Sequence, residues 1–78
     1  MTDLMKKTLD FLSEYTTIDE NVTRDSQLIA DLELNSLTMM EIANDAEDRF
    51  NIIISDEDLR GIVTVGDIVD LLERNGVK

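Results

Sequence analysis

A single serine stands where the chain changes from irregular sequence to a helical pattern. Ser36 follows the run Asp31-Leu-Glu-Leu-Asn and precedes a segment of helical periodicity. A serine at a helix N-terminus presents its hydroxyl outward, and the free backbone N–H groups and positive dipole end there stabilise an anion. The position therefore tolerates a phosphodiester on the hydroxyl. The alternative is structural: Ser36 or Asn35 simply caps the helix, since both residue types are favoured caps.

The segment from Ser36 to Phe50 is predicted to form an amphipathic helix. At about 100° per residue, one face is apolar and is expected in the core. Its members are Met39, Ile42, Ala43, Ala46 and Phe50.

The opposite face of this helix is acidic, with two large apolar residues set into it. We interpret it as a docking surface, on which acids set the encounter rate and apolar side chains supply short-lived affinity. The alternative is an ordinary solvated face, because single exposed apolar residues are common. The predicted docking residues are Leu37, Met40, Glu41, Asn44, Glu47 and Asp48.

The first half of the chain predicts one more helix and a long loop. Apolar residues recur at three- and four-residue steps from Asp3 to Tyr15, which predicts a helix that Thr2 caps. Residues 16–35 lose this periodicity but remain partly apolar, so we expect a loop packed over the core. Its apolar residues are Ile18, Val22, Leu28, Ile29, Leu32 and Leu34.

The last third of the chain predicts a short helix and a longer one. Ser55 is placed to cap the short helix, and Gly61 ends it within about two turns. Thr64 and Asp67 have capping-box spacing at the start of the last helix, which Gly76 ends. The apolar residues 51–54 between helices are expected to form a buried connector rather than a strand.

These elements predict an all-α fold. It is a small four-helix bundle of three main helices and one short helix, with a long first loop. Residues 1–78 are expected to form a single domain.

Composition removes several classes of function. A chain of 78 residues builds one compact core, so a deep catalytic cleft is not expected. Without His or Cys, the usual zinc sites, Ser–His and Cys nucleophiles and disulfides are missing, and no convergent acid–base set replaces them. We therefore predict that the protein is not an enzyme and has no dedicated metal site. Asp19 opens an EF-hand-like run, but Arg24 replaces its glycine and Ala30 its glutamate.

The charge of the chain indicates its partners. Eighteen acidic residues against seven basic ones give a net charge of −11. Such a field repels nucleic acids and anionic lipids and steers basic protein surfaces into encounter. No apolar run approaches the roughly 18 residues of a membrane span, and the N-terminus has no signal-peptide core. We expect a cytoplasmic monomer that binds basic proteins.

The chain resembles the acyl carrier protein family over nearly its whole length. The resemblance lies in the order of the helices, in the long first loop and in the segment Asp31-Leu-Glu-Leu-Asn-Ser-Leu-Thr. Family members usually show Asp-Leu-Gly-x-Asp-Ser-Leu there. The resemblance implies that Ser36 carries a covalent 4′-phosphopantetheine arm, donated by coenzyme A through a phosphopantetheinyl transferase. The thiol of that arm holds acyl cargo as a thioester, which supplies the thiol that the sequence lacks.

Two residues depart from the family pattern. Glu33 stands where glycine is usual, and Asn35 stands where the aspartate before the serine is usual. In the family that aspartate contributes to contact with the transferase and its magnesium. Asn35 can still cap a helix start, since Asn and Asp rank together as caps, but it brings no charge.

The resemblance also implies an interior pocket that shelters the acyl chain between the helices. Ala43 and Ala46 are small where larger side chains would fill the space, and Met and Leu repack readily. The alternative is that the same residues are ordinary core packing. The predicted pocket residues are Met39, Ala43, Ala46, Phe50, Ile54, Leu59, Ile62 and Ile68.

The function that the resemblance implies is an acyl carrier for fatty-acid, polyketide or specialised lipid biosynthesis. Its partners would be the transferase and acyl-transferring, condensing and reducing enzymes with basic docking patches. The alternative is an acidic adaptor or decoy that binds a basic protein and is never modified.

Overall fold

The computed structural model describes residues 3–77, and within that range the chain forms four α-helices and no strand. The helices are α1 (Asp3–Leu12), α2 (Ser36–Phe50), α3 (Asp56–Arg60) and α4 (Val65–Arg74). The predicted all-α bundle, with one short helix and a long first loop, is confirmed. The predicted cap Thr2 lies outside the described residues.

Helix α1 ends earlier than its apolar pattern predicts, at Leu12 rather than Tyr15. The N–H groups of Glu14 and Tyr15 donate to carbonyls three residues back, at 3.3 and 2.9 Å, so the chain tightens out of the α-helix there. The ring of Tyr15 still packs edge-on against Phe11, with centroids 5.8 Å apart. The apolar periodicity thus continues into a turn that packs on the same core.

The core is formed by α1, α2, α4 and the long first loop, with α1 packed along α4. α3 is different, because none of its side chains is fully buried. The least exposed large side chains are Phe11, Leu12, Leu28, Val65 and Leu72.

The loop of residues 16–35, called loop 1 below, is fixed against the start of α4. Leu28 donates its N–H to the carbonyl of Val63 at 2.9 Å, and Gly66 donates to the carbonyl of Arg24 at 2.9 Å. A Cβ atom on Gly66 would lie 3.1 Å from that carbonyl, so glycine permits the close approach. The Arg24 guanidinium also pairs with Asp70 at 2.8 Å. The expectation of a packed loop is confirmed.

One apolar residue of loop 1 does not pack as expected. Leu28 and Leu32 are buried, whereas Ile29 leaves 56% of its surface exposed. Leu28 is turned inward by its backbone bond to Val63, so the neighbouring Ile29 is left on the surface. The expectation that Ile29 pins the loop is wrong.

Capping boxes begin both α3 and α4: the predicted pair of Thr64 and Asp67 is confirmed, and Ser55, predicted only as a cap, forms a second box with Asp58. The Ser55 hydroxyl accepts from the N–H of Asp58 at 3.0 Å, and the Asp58 carboxylate accepts from the N–H of Ser55 at 3.3 Å. At the start of α4, the Thr64 hydroxyl accepts from the N–H of Asp67 at 3.2 Å, and the Asp67 carboxylate accepts from the N–H of Thr64 at 3.0 Å. These reciprocal bonds satisfy N–H groups that a helix start leaves free, and they fix where α3 and α4 begin.

The connector of residues 51–54 contains no strand, as expected. Asn51 ends α2 in the left-handed region with φ 54°, a conformation that Asn tolerates better than most residues. Ile52 is buried, but Ile53 leaves 81% of its surface exposed, so the connector is only partly buried.

Candidate functional site

The hydroxyl of Ser36 is exposed and has no hydrogen-bond partner among the described residues. Asn35 supplies the cap instead: its side-chain oxygen accepts from the N–H of Thr38 at 2.9 Å, and its carbonyl accepts from the N–H of Met39 at 2.9 Å. Of the two capping alternatives, the structure therefore assigns the role to Asn35. Ser36 is left as the first residue of α2 with its hydroxyl unengaged.

An open groove of about 430 Å³ borders this serine, and we call it the Ser36 groove. Loop 1, the start of α2, the end of α3 and the residues before α4 form its walls. Its lining is apolar apart from one serine and one arginine. The lining residues are Ile29, Ser36, Met39, Met40, Leu59, Arg60, Ile62 and Val63.

A second pocket lies among the core side chains and has a volume of only about 10 Å³. That is room for about one water molecule and not for an acyl chain. Seven of the eight predicted pocket residues border it: Met39, Ala43, Ala46, Ile54, Leu59, Ile62 and Ile68. Its other lining residues are Phe11, Ile42, Leu71 and Leu72.

Phe50 is the predicted pocket residue that does not border the interior pocket. Its ring instead packs edge-on against Phe11, with centroids 5.6 Å apart. Phe11 itself lines the pocket, so Phe50 contacts a residue of the pocket wall rather than the cavity. The periodicity of α2 placed Phe50 on the core side, which is correct, but not on the wall of this particular cavity.

The Ser36 groove and the interior pocket are neighbours. Met39, Leu59 and Ile62 line both of them. These three side chains therefore form the partition between the surface beside the serine and the space inside the bundle, and we call them the partition residues.

The outward face of α2 is largely as predicted. Leu37 and Met40 leave 67% and 55% of their surface exposed, and Glu41, Asn44 and Asp48 are also exposed. Met40 additionally lines the Ser36 groove, so the apolar part of this face is continuous with the groove.

Glu47 differs from the other predicted docking residues. It is half-buried, and its carboxylate accepts from the backbone N–H of Ile54 at 2.9 Å. This bond ties the end of α2 to the connector that leads into α3. Glu47 therefore has a structural role, which its position on the helical wheel did not indicate.

The other shoulder of α2 is joined to the end of α1 by a polar cluster. The Tyr15 hydroxyl donates to Asp45 at 2.6 Å, and burial together with this bond raises the pKa of Tyr15 to about 12. Arg49 pairs with Glu14, and this hydrogen bond lowers the pKa of the Glu14 carboxyl. The Arg49 guanidinium also lies 5.0 Å from the centre of the Phe11 ring. This cluster holds α2 on the side away from the docking face.

Sequence reasoning missed three residues that shape the Ser36 groove. Ile29 and Val63 leave 56% and 53% of their surface exposed there, and Arg60 brings the groove its single charge. Helical periodicity identifies faces within one helix, whereas this groove is assembled from a loop, two helices and a connector. The one available signal was that Arg60 is among the few cations in an acidic region.

Within residues 3–77, no three acidic side chains are grouped so that they could hold a metal ion. No helix in the same range is long and apolar enough to cross a membrane.

Comparison with known proteins agrees with this geometry. A protein family model described as "Phosphopantetheine attachment site" matches residues 6–72, which span all four helices apart from the two ends. The chain belongs to the acyl carrier protein family. An acyl carrier protein of Rhodococcus erythropolis is 42% identical over 64 residues, which cover 81% of this chain and 70% of that protein.

Two further relatives match a larger share of this chain. An acyl carrier protein of Thermotoga maritima is 37% identical over 73 residues, which cover 92% of this chain and 90% of that protein. The solved structure of the acyl carrier protein from Enterococcus faecalis superposes with a TM-score of 0.80 at 34% identity, covering 97% of this chain and all of that one.

Membership decides between the two functions left open by the sequence. The protein is an acyl carrier that bears covalently attached 4′-phosphopantetheine, and the unmodified acidic adaptor is not favoured. Its relatives form a family of carriers rather than of catalysts. The free hydroxyl of Ser36, at a helix start and beside an open groove, fits the prosthetic group chemically and sterically.

Proposed function

We propose that Ser36 is the residue that carries the 4′-phosphopantetheine arm. The observation that carries this proposal is the division of roles at the start of α2, where Asn35 caps the helix and leaves the exposed Ser36 hydroxyl unengaged. The serine oxygen attacks the phosphate of coenzyme A that bears the pantetheine and forms the phosphodiester, while the pyrophosphate bond of coenzyme A breaks and adenosine 3′,5′-bisphosphate leaves. The thiol of the arm then holds the acyl cargo as a thioester.

The carrier itself catalyses nothing and presents its cargo to successive enzymes of fatty-acid or a related polyketide or specialised lipid pathway. Its partners are the phosphopantetheinyl transferase and acyl-transferring, condensing and reducing enzymes with basic docking patches. It acts as a cytoplasmic monomer, and residues 1–78 form one domain. A single core cluster that extends from Leu4 to Leu72 supports the last statement.

The docking surface is the outward face of α2. Leu37 and Met40 supply apolar contact beside the attachment point, and Glu41, Asn44 and Asp48 supply the polar rim that attracts a basic partner. Glu47 contributes charge from the edge of this face while its carboxylate holds the connector.

The acyl chain is sheltered in the interior pocket, which must expand to receive it because it now has a volume of only about 10 Å³. Outward movement of α3 is the least costly route, since α3 buries no side chain completely. Such a movement would carry Leu59 away from the other two partition residues. The chain would then pass from the Ser36 groove into the bundle.

The test of the attachment site is the intact mass of the protein before and after incubation with coenzyme A, magnesium and a broad-specificity phosphopantetheinyl transferase. We expect the mass of one phosphopantetheine to be gained by the wild type and by Ser13→Ala, which removes another exposed serine hydroxyl. Ser36→Ala should gain nothing. A gain by Ser36→Ala would refute the assignment, and no gain by any variant with several transferases would refute the carrier function as proposed.

A further inference from the structure

The Ser36 groove contains one charged side chain, that of Arg60. This arginine is the last residue of α3 and is exposed. Within residues 3–77, Arg24 and Arg49 each form an ion pair with a carboxylate, whereas Arg60 forms neither an ion pair nor a side-chain hydrogen bond. A free guanidinium therefore borders the same groove as the proposed attachment serine.

The placement of this cation is unusual for the chain, whose net charge is −11. Attachment of the arm to Ser36, called priming below, adds one more negative charge to an acidic surface. This is the charge of the phosphodiester. Apart from Ser36 itself, the rest of the groove lining is apolar and offers that anion no other charged side chain. A guanidinium has a planar set of N–H donors that matches phosphate oxygens, and charge-assisted hydrogen bonds of this kind are stronger than neutral ones.

We propose that Arg60 binds the phosphodiester of the attached arm and holds the base of the arm in the Ser36 groove when no partner is docked. The proposal rests on the assignment of Ser36 as the attachment residue. Its consequence is that the arm starts from a defined position beside the partition residues instead of extending freely into solvent. Docking of a basic partner would compete with Arg60 for the phosphodiester and so release the arm.

The choice of the phosphodiester over other groups follows from charge. The amides of the arm are neutral and bind a guanidinium more weakly than an anion does. A carboxylate on the cargo would also be anionic, but only some cargoes would carry one, whereas the phosphodiester is present on every primed molecule. The pair therefore belongs to the resting state of the carrier whatever its cargo.

The first experiment follows the Nε–Hε signal of each arginine by NMR in the unprimed and primed protein. On priming, we expect the Arg60 signal to shift and its hydrogen exchange with solvent to slow by a factor of about two to five, the range expected for an exposed ion pair. Arg24 and Arg49, already paired, should change little. The change at Arg60 should disappear at high salt, because salt screens exposed charges.

The second experiment follows the ³¹P signal of the arm in primed variants. Arg60→Gln should move this signal away from its wild-type position, and Arg60→Lys should restore it in part, because lysine keeps the charge but not the planar donors. Arg74→Gln is the matched control, since Arg74 is exposed and lines a different concavity. It should leave the signal in place.

Three outcomes would overturn the proposal. If priming left the Arg60 signal unchanged and Arg60→Gln left the ³¹P signal unchanged, the pairing of Arg60 with the phosphodiester would be refuted, while the assignment of the attachment site would stand. A change at Arg60 that appears only when the arm carries a malonyl half-thioester would assign the guanidinium to a cargo carboxylate instead. No mass gain at Ser36 on priming would overturn this proposal together with the proposed function.

Discussion

Two adjacent residues have different roles at the start of α2. Asn35 holds the helix start through its bond to the N–H of Thr38, and Ser36 is free for chemistry. In most family members an aspartate stands before the serine, so it can act both as cap and as charge. In this chain the cap is retained and the charge is lost, because Asn and Asp cap equally well. Transferases that depend on that carboxylate should prime this carrier less readily.

Glu33 is the second residue at which the chain departs from the family pattern, and its backbone conformation is strained. It adopts φ 59°, in the left-handed region that disfavours side chains with a Cβ atom. Glu33→Gly should therefore raise the free energy of unfolding by about 0.5–1 kcal/mol, the relief of strain exceeding the entropy that glycine loses on folding. Urea denaturation of the wild type and the variant measures this difference in the free energy of unfolding.

Glu33→Ala separates strain from the loss of the side chain. Alanine keeps the Cβ atom and removes the carboxylate, so its stability should stay near that of the wild type. If alanine stabilised the protein as much as glycine does, charge repulsion rather than backbone strain would be the cause, and the interpretation of φ at this position would be wrong.

At the scale of elements, the start of α4 couples stability to pH. The Asp67 carboxylate accepts from the N–H groups of Thr64 and Val63, and these bonds lower its pKa. A lowered pKa in the folded state means that the carboxylate contributes stability above its unfolded pKa, which is about 4. That contribution is lost as the pH falls through the lower folded value.

Asp67→Asn should therefore lower the free energy of unfolding by about 0.5–1 kcal/mol at pH 7. The difference from the wild type should shrink as the pH falls below about 4, from the pKa of Asp67 in the unfolded state through its lower pKa in the folded state. Denaturation at a series of pH values gives this difference directly. Thr64→Ala weakens the same cap without removing a titratable group, so its cost should vary less with pH. A cost of Asp67→Asn that is constant from pH 7 to pH 3 would contradict the assignment.

The interior pocket gives a prediction about packing. Ala46 lines it and is only 3% exposed, so Ala46→Leu would fill space that an acyl chain needs. The variant should protect a long-chain thioester from hydrolysis less well than the wild type, while a short-chain thioester should be unaffected. Overpacking should also cost about 1–3 kcal/mol of stability. Ala30→Leu adds the same atoms at an exposed position in loop 1 and is the control. Equal protection in all three proteins would argue against the pocket.

The sequence predicted the elements well wherever a local signal existed. The predicted cap Ser55 and the capping-box pair of Thr64 and Asp67 marked two helix starts, and the periodicity of α2 separated its core face from its exposed face. It failed where packing across elements decides. Tyr15 continues an apolar pattern after the helix has ended, and Ile29 is exposed because its neighbour is drawn inward.

For the whole molecule, charge should control the rate of partner encounter. The proposed docking surface carries Glu41 and Asp48, which are exposed on α2 within a chain of net charge −11. Reversing both to lysine should reduce the second-order rate of priming at low salt by about tenfold, because steering by the field is lost. The reduction should largely disappear at about 1 M salt, where the screening length is only about 3 Å.

The control for charge reversal must change the net charge equally. Asp10→Lys with Glu73→Lys does so, taking the net charge from −11 to −7 as the docking-face pair does, since each reversal adds two. Both control residues are exposed and lie on α1 and α4, outside the proposed docking surface. If both double variants slowed priming equally, total charge rather than the docking face would set the rate.

The Ser36 groove is the feature of the whole molecule that no single stretch of sequence predicts. Ile29, Met40, Arg60 and Val63 come from four separate segments and meet only in the folded chain. Ser36 could be proposed as the attachment residue from the sequence because its motif is contiguous, whereas the surroundings that would guide the arm depend on how loop 1, α2 and α3 pack together.

The decisive experiment locates the arm on the primed wild-type protein. The protein is digested, and the peptide that carries the phosphopantetheine is fragmented in the mass spectrometer. We predict that the arm is found on Ser36 alone. An arm on any other serine or threonine would contradict the assignment of the site, and a fully unmodified digest after exposure to several transferases would contradict the proposed function.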